Sequence, residues 1–220
     1  MNIGVFLPNW IGDAVMATPT LRALSEHFGE RARLIGVMRP SVADVLAGTS
    51  WLDEQLLFDP RSADPRQRGL GFFRQLRRQK LDLAIVLPNS WRTALWARAS
   101  GAKERIGYVR GGRGWLLNRK LYPQQAHGRF TPAPVLDYFL DLAYAAGAAP
   151  NSRQVELATL PADERAAAAV WTKFRFPAGG QVVSINTGGA FGAAKLWPTG
   201  YFAALARRIA VEDRRSVLVV

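Results

Sequence analysis

Residues 3–13 have the sequence Ile3-Gly4-Val5-Phe6-Leu7-Pro8-Asn9-Trp10-Ile11-Gly12-Asp13. The run from Ile3 to Leu7 is typical of a buried strand, and Pro8 ends it. Between Asp13 and Phe28 the apolar residues recur near helical spacing, so a helix is expected there. A buried strand, a short loop and a helix together form the first half of a parallel α/β unit.

The same alternation of strands and helices continues along the chain. Further strands are predicted at Leu34–Met38, Gln55–Phe58, Leu83–Leu87, Arg105–Tyr108, Val182–Ile185 and Val217–Val220, and further helices at Val42–Leu46, Leu70–Lys80, Trp91–Ala99, Val135–Ala146, Pro161–Phe174 and Tyr201–Ala210. Continuous apolar strands separated by helices indicate a parallel sheet that is covered on both faces.

Three other stretches mark the organisation of the chain. Gly111–Gly114 is predicted to be a flexible loop, and Ala149–Ser152 is typical of a linker. The pattern restarts near residue 178, which indicates a second α/β unit. Because no helix follows the last apolar strand to cover it, the sequence is expected to be cut short.

Composition and charge exclude several classes of protein. Apolar residues make up 49% of the chain and charged residues 21%, which excludes a disordered protein. No apolar run approaches the roughly 20 residues that a membrane-spanning helix needs, and no signal peptide pattern is present. The chain has no cysteine and two histidines, His27 and His127, which excludes disulfides and multi-histidine metal sites.

The positive charge is concentrated in the middle of the chain. The net charge is +12, and residues 61–129 contain 16 basic and 3 acidic residues, whereas residues 1–60 contain 4 basic and 7 acidic ones. Such a segment favours an anionic partner: nucleic acid, an anionic membrane surface or a phosphorylated substrate. A solvated surface is the alternative.

The loop after the first strand contains one candidate catalytic residue. Its single glycine, Gly12, does not make a dinucleotide fingerprint, so a dinucleotide cofactor is not expected. Asp13 is predicted at the start of the first helix. It is either an ordinary helix cap or a carboxylate base that faces a cleft.

Two later loops offer groups for binding. Residues 186–195 are rich in glycine and alanine and end at Lys195, a combination suited to phosphate. They miss the P-loop pattern, because Ala194 precedes the lysine and Leu196 follows it, and a simple turn is the alternative. Asn89 and Ser90 follow the strand at Leu83–Leu87 and suit a sugar, although both are also common at helix starts.

Four stretches occur in the same order in the lipopolysaccharide heptosyltransferases of glycosyltransferase family nine, which the chain therefore resembles. They are Pro8–Asp13, Leu87–Ser90, Gly107–Tyr108 with Leu116–Asn118, and Phe191–Pro198. The set is most similar to the heptosyltransferase II group, and the resemblance covers essentially all 220 residues.

The resemblance implies an α/β protein of the GT-B type, in which two Rossmann-like parallel-sheet domains face each other. Residues 1–160 would form the amino-terminal acceptor-binding domain. Residues 161–220 would form a linker helix and the beginning of a truncated carboxy-terminal domain that binds the ADP-sugar. No cofactor and no bound metal are expected.

The resemblance also implies a reaction, an inverting transfer of heptose from ADP-L-glycero-D-manno-heptose to the lipopolysaccharide inner core. Asp13 matches the general base, and Lys195 matches a lysine that meets the donor phosphates, with Thr187 and Gly188 beside it. Contacts to the acceptor or sugar are expected from Asn9, Trp10, Gly12, Asn89 and Ser90. The acceptor is anionic, so a cytoplasmic enzyme in peripheral contact with the inner membrane is expected.

Two departures from the family limit what the resemblance carries over. Thr187 and Ala190 stand where the family loop usually has proline and glutamate, and the later Asp-Ser/Thr-Gly-x-x-His element has no counterpart. We therefore expect this 220-residue chain alone to bind ADP-heptose poorly and to be inactive. A nucleic-acid-binding module and a transferase for another nucleotide sugar are the alternatives, although no nucleic-acid-binding signature is present.

Overall fold

A computed structural model describes residues 1–177, 181–188 and 196–220. It divides the chain into two compact units, Met1–Thr159 and Leu160–Val220. The acceptor and donor roles assigned to residues 1–160 and 161–220 stay predictions.

Six parallel strands form the sheet of the first unit. They are β1 (Asn2–Phe6), β2 (Arg33–Met38), β3 (Glu54–Leu57), β4 (Leu83–Val86), β5 (Glu104–Tyr108) and β6 (Arg119–Leu121). Hydrogen bonds join them in the order β3-β2-β1-β4-β5-β6, which is the strand order of a Rossmann fold. The predicted α/β parallel sheet is confirmed, and β6 is an addition to the predicted strands.

Six helices cover the two faces of this sheet. They are α1 (Ile11–Met16), α2 (Thr18–Phe28), α3 (Pro40–Leu46), α4 (Gly69–Arg78), α5 (Trp91–Ala99) and α6 (Val135–Ala146). Buried residues of α1, α2, α3 and α6 pack together on one face, and those of α4 and α5 on the other. Because strand side chains alternate, Val5 belongs to the first core and Phe6 to the second, and both are fully buried. In the described ranges, no helix has the length and apolar character needed to cross a membrane.

A short antiparallel hairpin projects from the sheet between β6 and α6. Its strands are β7 (Gln125–Ala126) and β8 (Arg129–Phe130). The two turn residues, His127 and Gly128, have φ values of 52° and 73°. Positive φ at both positions is the geometry of a tight type I′ turn, whose twist suits a hairpin.

The first predicted helix is interrupted, which corrects the single helix expected from Asp13 to Phe28. The break falls at Ala17, between α1 and α2. Pro19 has no N–H to donate to the carbonyl of Val15, so the helical hydrogen-bond pattern cannot continue. The Thr18 hydroxyl donates to that carbonyl instead, at 2.8 Å.

The prediction of a flexible loop at Gly111–Gly114 is wrong. A 3-10 turn spans Arg113–Leu116, and the Arg113 side chain is fully buried. Glycines at positions 111 and 112 supply the positive φ values of 59° and 77° that the tight entry to this turn requires.

The stretch predicted as a linker is fastened to the first unit. The buried Arg22 of α2 donates to the carbonyls of Ser152 at 2.7 Å and Gln154 at 3.1 Å, and it pairs with Glu156 at 2.6 Å. The chain after α6 is therefore held against α2 as far as Glu156.

The second unit is a β-α-β arrangement preceded by a helix. Its elements are α7 (Pro161–Phe174), β9 (Val182–Ile185), α8 (Thr199–Val211) and β10 (Ser216–Val219). β9 and β10 pair in parallel. Of the residues described in this unit, Ile185 alone is a buried hydrophobic.

The packing of α4 makes a prediction about stability. Phe72 is fully buried against the aromatic rings of Phe58 and Trp96, whereas Leu70 on the same helix is 76% exposed. Phe72→Ala should lower the free energy of unfolding by about 3–5 kcal/mol, because it removes the ring and leaves a cavity. Leu70→Ala is the control and should change it by less than about 0.5 kcal/mol. Urea unfolding measures both, and equal effects would contradict this packing.

Candidate active site

The centre of the sheet contains a switch point between β1 and β4. From β1 the chain continues to β2 and β3 on one side, and from β4 it continues to β5 and β6 on the other. A crevice opens at the carboxyl ends of two such strands, and open α/β sheets bind ligands there. Asn9 and Asn89 follow these two strands and therefore meet at one place.

A cleft of about 1020 Å³ lies at this switch point, entirely within the first unit. The loops after β1 and β4, the hairpin segment 122–134 and the first turns of α6 form its walls. Five predicted site residues line it: Asp13, Asn9, Trp10, Asn89 and Ser90. Gly12 is exposed beside Asp13, and it is not among the described residues that line the cleft.

Asp13 is the third residue of α1, and its half-buried side chain lines the cleft. Trp10 is the N-cap residue of that helix, so the interpretation of Asp13 as a helix cap is wrong. Within residues 1–177, 181–188 and 196–220, the Asp13 carboxylate has no hydrogen-bond or ion-pair partner. Both carboxylate oxygens are therefore available to a ligand.

Ser90 is the N-cap of α5. Its hydroxyl accepts a hydrogen bond from the backbone N–H of Thr93 at 3.1 Å and lies 2.5 Å from the Thr93 hydroxyl. The helix-start alternative for Ser90 is confirmed, and its sugar contact stays a prediction.

Arg113 is the central residue behind the cleft, and sequence reasoning missed it. It is fully buried, and its guanidinium donates to the carbonyls of Tyr108, Pro88 and Ser90 and to Asn89 Oδ1 at 2.9 Å. These five hydrogen bonds match the five N–H donors of arginine. Burial lowers the Arg113 pKa below its ordinary value. No signal in the sequence separates this arginine from the fifteen other basic residues of the segment 61–129.

Two stacked tyrosines form part of the same wall. The rings of Tyr108 and Tyr138 lie 3.6 Å apart between centroids, with an interplanar angle of 13°. The Tyr108 hydroxyl donates to Asp141 at 2.7 Å, and the Tyr138 hydroxyl donates to Asn89 Oδ1 at 3.1 Å. Burial is the largest cause that raises the pKa of both phenols. Both hydroxyls therefore stay protonated at neutral pH and act as donors.

The hairpin wall is also absent from the sequence-based prediction. Residues Tyr122, Gln124 and Phe130 contribute to the cleft, and the Arg110 guanidinium lies 4.7 Å above the centroid of the Phe130 ring. β7 and β8 have two residues each, too few to give an alternating pattern. The glycine at 128 is the one available signal of the turn.

The predicted donor residues lie in the second unit. The Thr187 N–H donates to the Val220 carbonyl at 3.3 Å, and the Gly188 N–H donates to Asn186 Oδ1 at 2.8 Å. Their backbone N–H groups are thus already bonded, and the Thr187 hydroxyl is the donor that remains. Lys195 lies outside the described residues. The described part of the chain holds no cluster of three His, Asp or Glu side chains suited to a metal ion.

Comparison with known proteins identifies the family. A profile of glycosyltransferase family 9 (heptosyltransferase) matches residues 70–219. The chain belongs to glycosyltransferase family 9. This family 9 chain is 26% identical to lipopolysaccharide heptosyltransferase 2 of Escherichia coli, over 99% of its own length and 63% of that relative. Lipopolysaccharide heptosyltransferase 2 of Salmonella typhimurium is 27% identical, with the same coverage.

Solved structures show the same fold. ADP-heptose lps heptosyltransferase II of E. coli superposes with a TM-score of 0.73 at 22% identity, covering 100% of this chain and 64% of that one. A family 9 glycosyl transferase from Veillonella parvula gives a TM-score of 0.81 at 16% identity, covering 99% and 61%. The predicted GT-B fold class is confirmed for the family 9 chain. The chain spans about 63% of the length of the curated relatives named above.

The Tyr108 phenol gives a pH-dependent prediction. The unfolded chain releases this proton at about pH 10, whereas the folded protein keeps it to higher pH. Because the unfolded state then binds fewer protons, the free energy of unfolding should fall as the pH rises above about 10. Tyr108→Phe should flatten that fall by up to about 1.4 kcal/mol per pH unit.

Urea unfolding between about pH 9 and pH 11 measures this slope. Tyr122→Phe, which removes a phenol that is 70% exposed, is the matched control. An unchanged slope in Tyr108→Phe would show that the folded state does not hold this proton.

Proposed function

We propose that this protein transfers heptose from ADP-L-glycero-D-manno-heptose to the heptosyl-Kdo-lipid A inner core of lipopolysaccharide, with inversion at the transferred sugar. The observation that carries the proposal is the half-buried Asp13 carboxylate, which has no partner among the described residues and lines a cleft at the switch point. The sugar and the acceptor are supported by two relatives in E. coli, a lipopolysaccharide heptosyltransferase 2 and an ADP-heptose lps heptosyltransferase II structure.

Asp13 acts as the general base in this proposal. An acceptor hydroxyl in the cleft donates a hydrogen bond to the carboxylate. As the hydroxyl oxygen forms its bond to the anomeric carbon of the donor, the proton passes to Asp13. The bond from that carbon to ADP breaks, and its electron pair stays on the departing phosphate oxygen. A single displacement inverts the anomeric configuration.

The first unit binds the acceptor, and its charge suits an anionic one. The exposed arginines Arg92 and Arg110 lie at or beside the cleft within the basic segment 61–129. Phosphates and carboxylates on the acceptor would complement them, as would the anionic lipids of the cytoplasmic face of the inner membrane. We therefore propose a cytoplasmic enzyme in peripheral contact with that membrane.

The donor belongs to the second unit in this proposal. Lys195 supplies a positive charge to the ADP phosphates, and the Thr187 hydroxyl supplies a hydrogen bond. Gly188 keeps the loop small enough for close approach. No cofactor takes part, and the donor itself carries the activated bond.

The base role predicts a large effect at one residue. Asp13→Asn, in the protein expressed at the full length of its gene, should lower the transfer rate by about 10²–10⁴-fold. The amide keeps the shape of the side chain but cannot take the proton, so donor affinity should stay unchanged. Transfer is followed with ADP-heptose and a heptosyl-Kdo acceptor, and donor affinity by calorimetry.

Asp44→Asn is the matched control, because Asp44 is an exposed aspartate of α3 that does not line the cleft. It should transfer at the wild-type rate. Near-normal transfer by Asp13→Asn would contradict the base role. Transfer from another nucleotide sugar but not from ADP-heptose would contradict the donor and leave the base role intact.

The phosphate role predicts a different effect at Lys195. In the same full-length protein, Lys195→Ala should weaken ADP-heptose binding by about 10–100-fold, because it removes a charge-assisted hydrogen bond. Lys173→Ala, an exposed lysine of α7, is the control and should bind the donor normally. Calorimetric titration measures both, and normal binding by Lys195→Ala would rule out the phosphate contact.

A further inference from the structure

The Asn89 side chain is held in one orientation by two donors. Its Oδ1 atom accepts from Arg113 Nη2 at 2.9 Å and from the Tyr138 hydroxyl at 3.1 Å. A guanidinium can only donate, so the atom that faces it must be the amide oxygen. The amide N–H₂ is then the free end of Asn89, and among the described residues it has no hydrogen-bond partner.

The surroundings prevent the amide from turning over. A flipped amide would place N–H₂ against Arg113 and would leave one of the five N–H donors of this buried guanidinium without an acceptor. An unsatisfied buried charged donor is strongly unfavourable. Arg113 is itself fixed by backbone carbonyls from two segments, at Tyr108 of β5 and at Pro88 and Ser90 after β4.

Among the residues that the structure describes, Arg113 has no negatively charged partner. In the described ranges no carboxylate lies within ion-pair distance of it, and its bonds go to neutral oxygens. A carboxylate at position 89 would therefore be electrostatically favourable for Arg113. The chain has an amide there, which gives up that attraction and presents N–H donors to the cleft.

We propose that Asn89 donates its Nδ2 hydrogens to an oxygen of the bound acceptor sugar, a hydroxyl or a carboxylate, and that Arg113 and Tyr138 are positioning residues that fix this polarity. The inference rests on the proposed function for the identity of the acceptor. It extends that function by assigning hydrogen-bonding directions within the cleft. Asn89 donates hydrogen bonds to the bound sugar, whereas the Asp13 carboxylate accepts them.

The substitution Asn89→Asp tests whether Asn89 donates a hydrogen bond to the ligand or only supports the structure. The carboxylate keeps the bonds from Arg113 and Tyr138 but offers the ligand no N–H. The thermal midpoint should therefore stay unchanged or rise, because Arg113 gains a charge-assisted bond. Binding of a deacylated heptosyl-Kdo oligosaccharide to the 220-residue chain should weaken by about 10-fold or more. Gln75→Glu makes the same chemical change on α4, away from the cleft, and should bind within about twofold of wild type.

A second measurement follows the Asn89 amide by nuclear magnetic resonance. Its side-chain N–H₂ resonances should shift when the oligosaccharide saturates the wild-type chain. In the free protein they should also move in Arg113→Lys, which cannot match the five bonds, while those of Asn2 at the opposite end of β1 stay in place. The titration of the wild-type chain needs no variant, so it tests the contact even if a substituted protein is unstable.

The outcomes distinguish a failure of the Asn89 donor role from a failure of the proposed acceptor. The proposed donor role of Asn89 would be overturned if Asn89→Asp bound the oligosaccharide with wild-type affinity or if its thermal midpoint fell strongly. It would also be overturned if the Asn89 resonances of the wild-type chain did not shift at saturation. If the wild-type chain binds no oligosaccharide, the proposed acceptor is wrong. The comparison of Arg113→Lys with wild type in the free protein then still tests whether Arg113 fixes the orientation of the Asn89 amide.

Discussion

The parallel pairing of β1 with β4 is the constraint on which the rest of the first unit depends. β1 is buried and lies between β2 and β4. After β1 the chain continues to β2 and β3 at one edge of the sheet, and after β4 it continues to β5 and β6 at the other. This divergence leaves a gap above the two central strands that no connecting segment fills. Asp13 and Asn89 reach the same cleft for this reason, although 75 positions separate them in the sequence.

The sheet was accessible from the sequence because its strands are continuous apolar runs. The predicted strands all occur, with bounds displaced by at most one residue, and the helices at Trp91–Ala99, Val135–Ala146 and Pro161–Phe174 match the structure. β6 was not accessible, because Arg119 and Lys120 give it no apolar pattern. Burial of Arg113 was not accessible either. It depends on three carbonyls and an amide oxygen that meet only when β4 and β5 have paired.

Some of the residues that line the cleft could likewise be predicted from the sequence, and others could not. Asp13, Asn9, Trp10, Asn89 and Ser90 could be found from the sequence, because loops after parallel strands gather at one edge. The tyrosine stack and the hairpin wall could not, since they come from chain segments without a motif. Asn89 shows why the missed residues matter. A motif identifies Asn89, but the orientation of its amide is set by hydrogen bonds from Arg113 and Tyr138, which belong to no motif.

The helix break at Ala17, which Pro19 causes, has a consequence for how this site can vary. α1 has six residues and ends before the core helix α2 starts, and the Thr18 hydroxyl closes the gap between them. The direction of the Asp13 side chain is therefore set by a short, separate helix whose only fully buried residue is Ala14. Insertions or substitutions in residues 9–16 can re-aim the carboxylate while α2 keeps its packing. The direction of the Asp13 carboxylate can therefore change without any change in the core packing of α2.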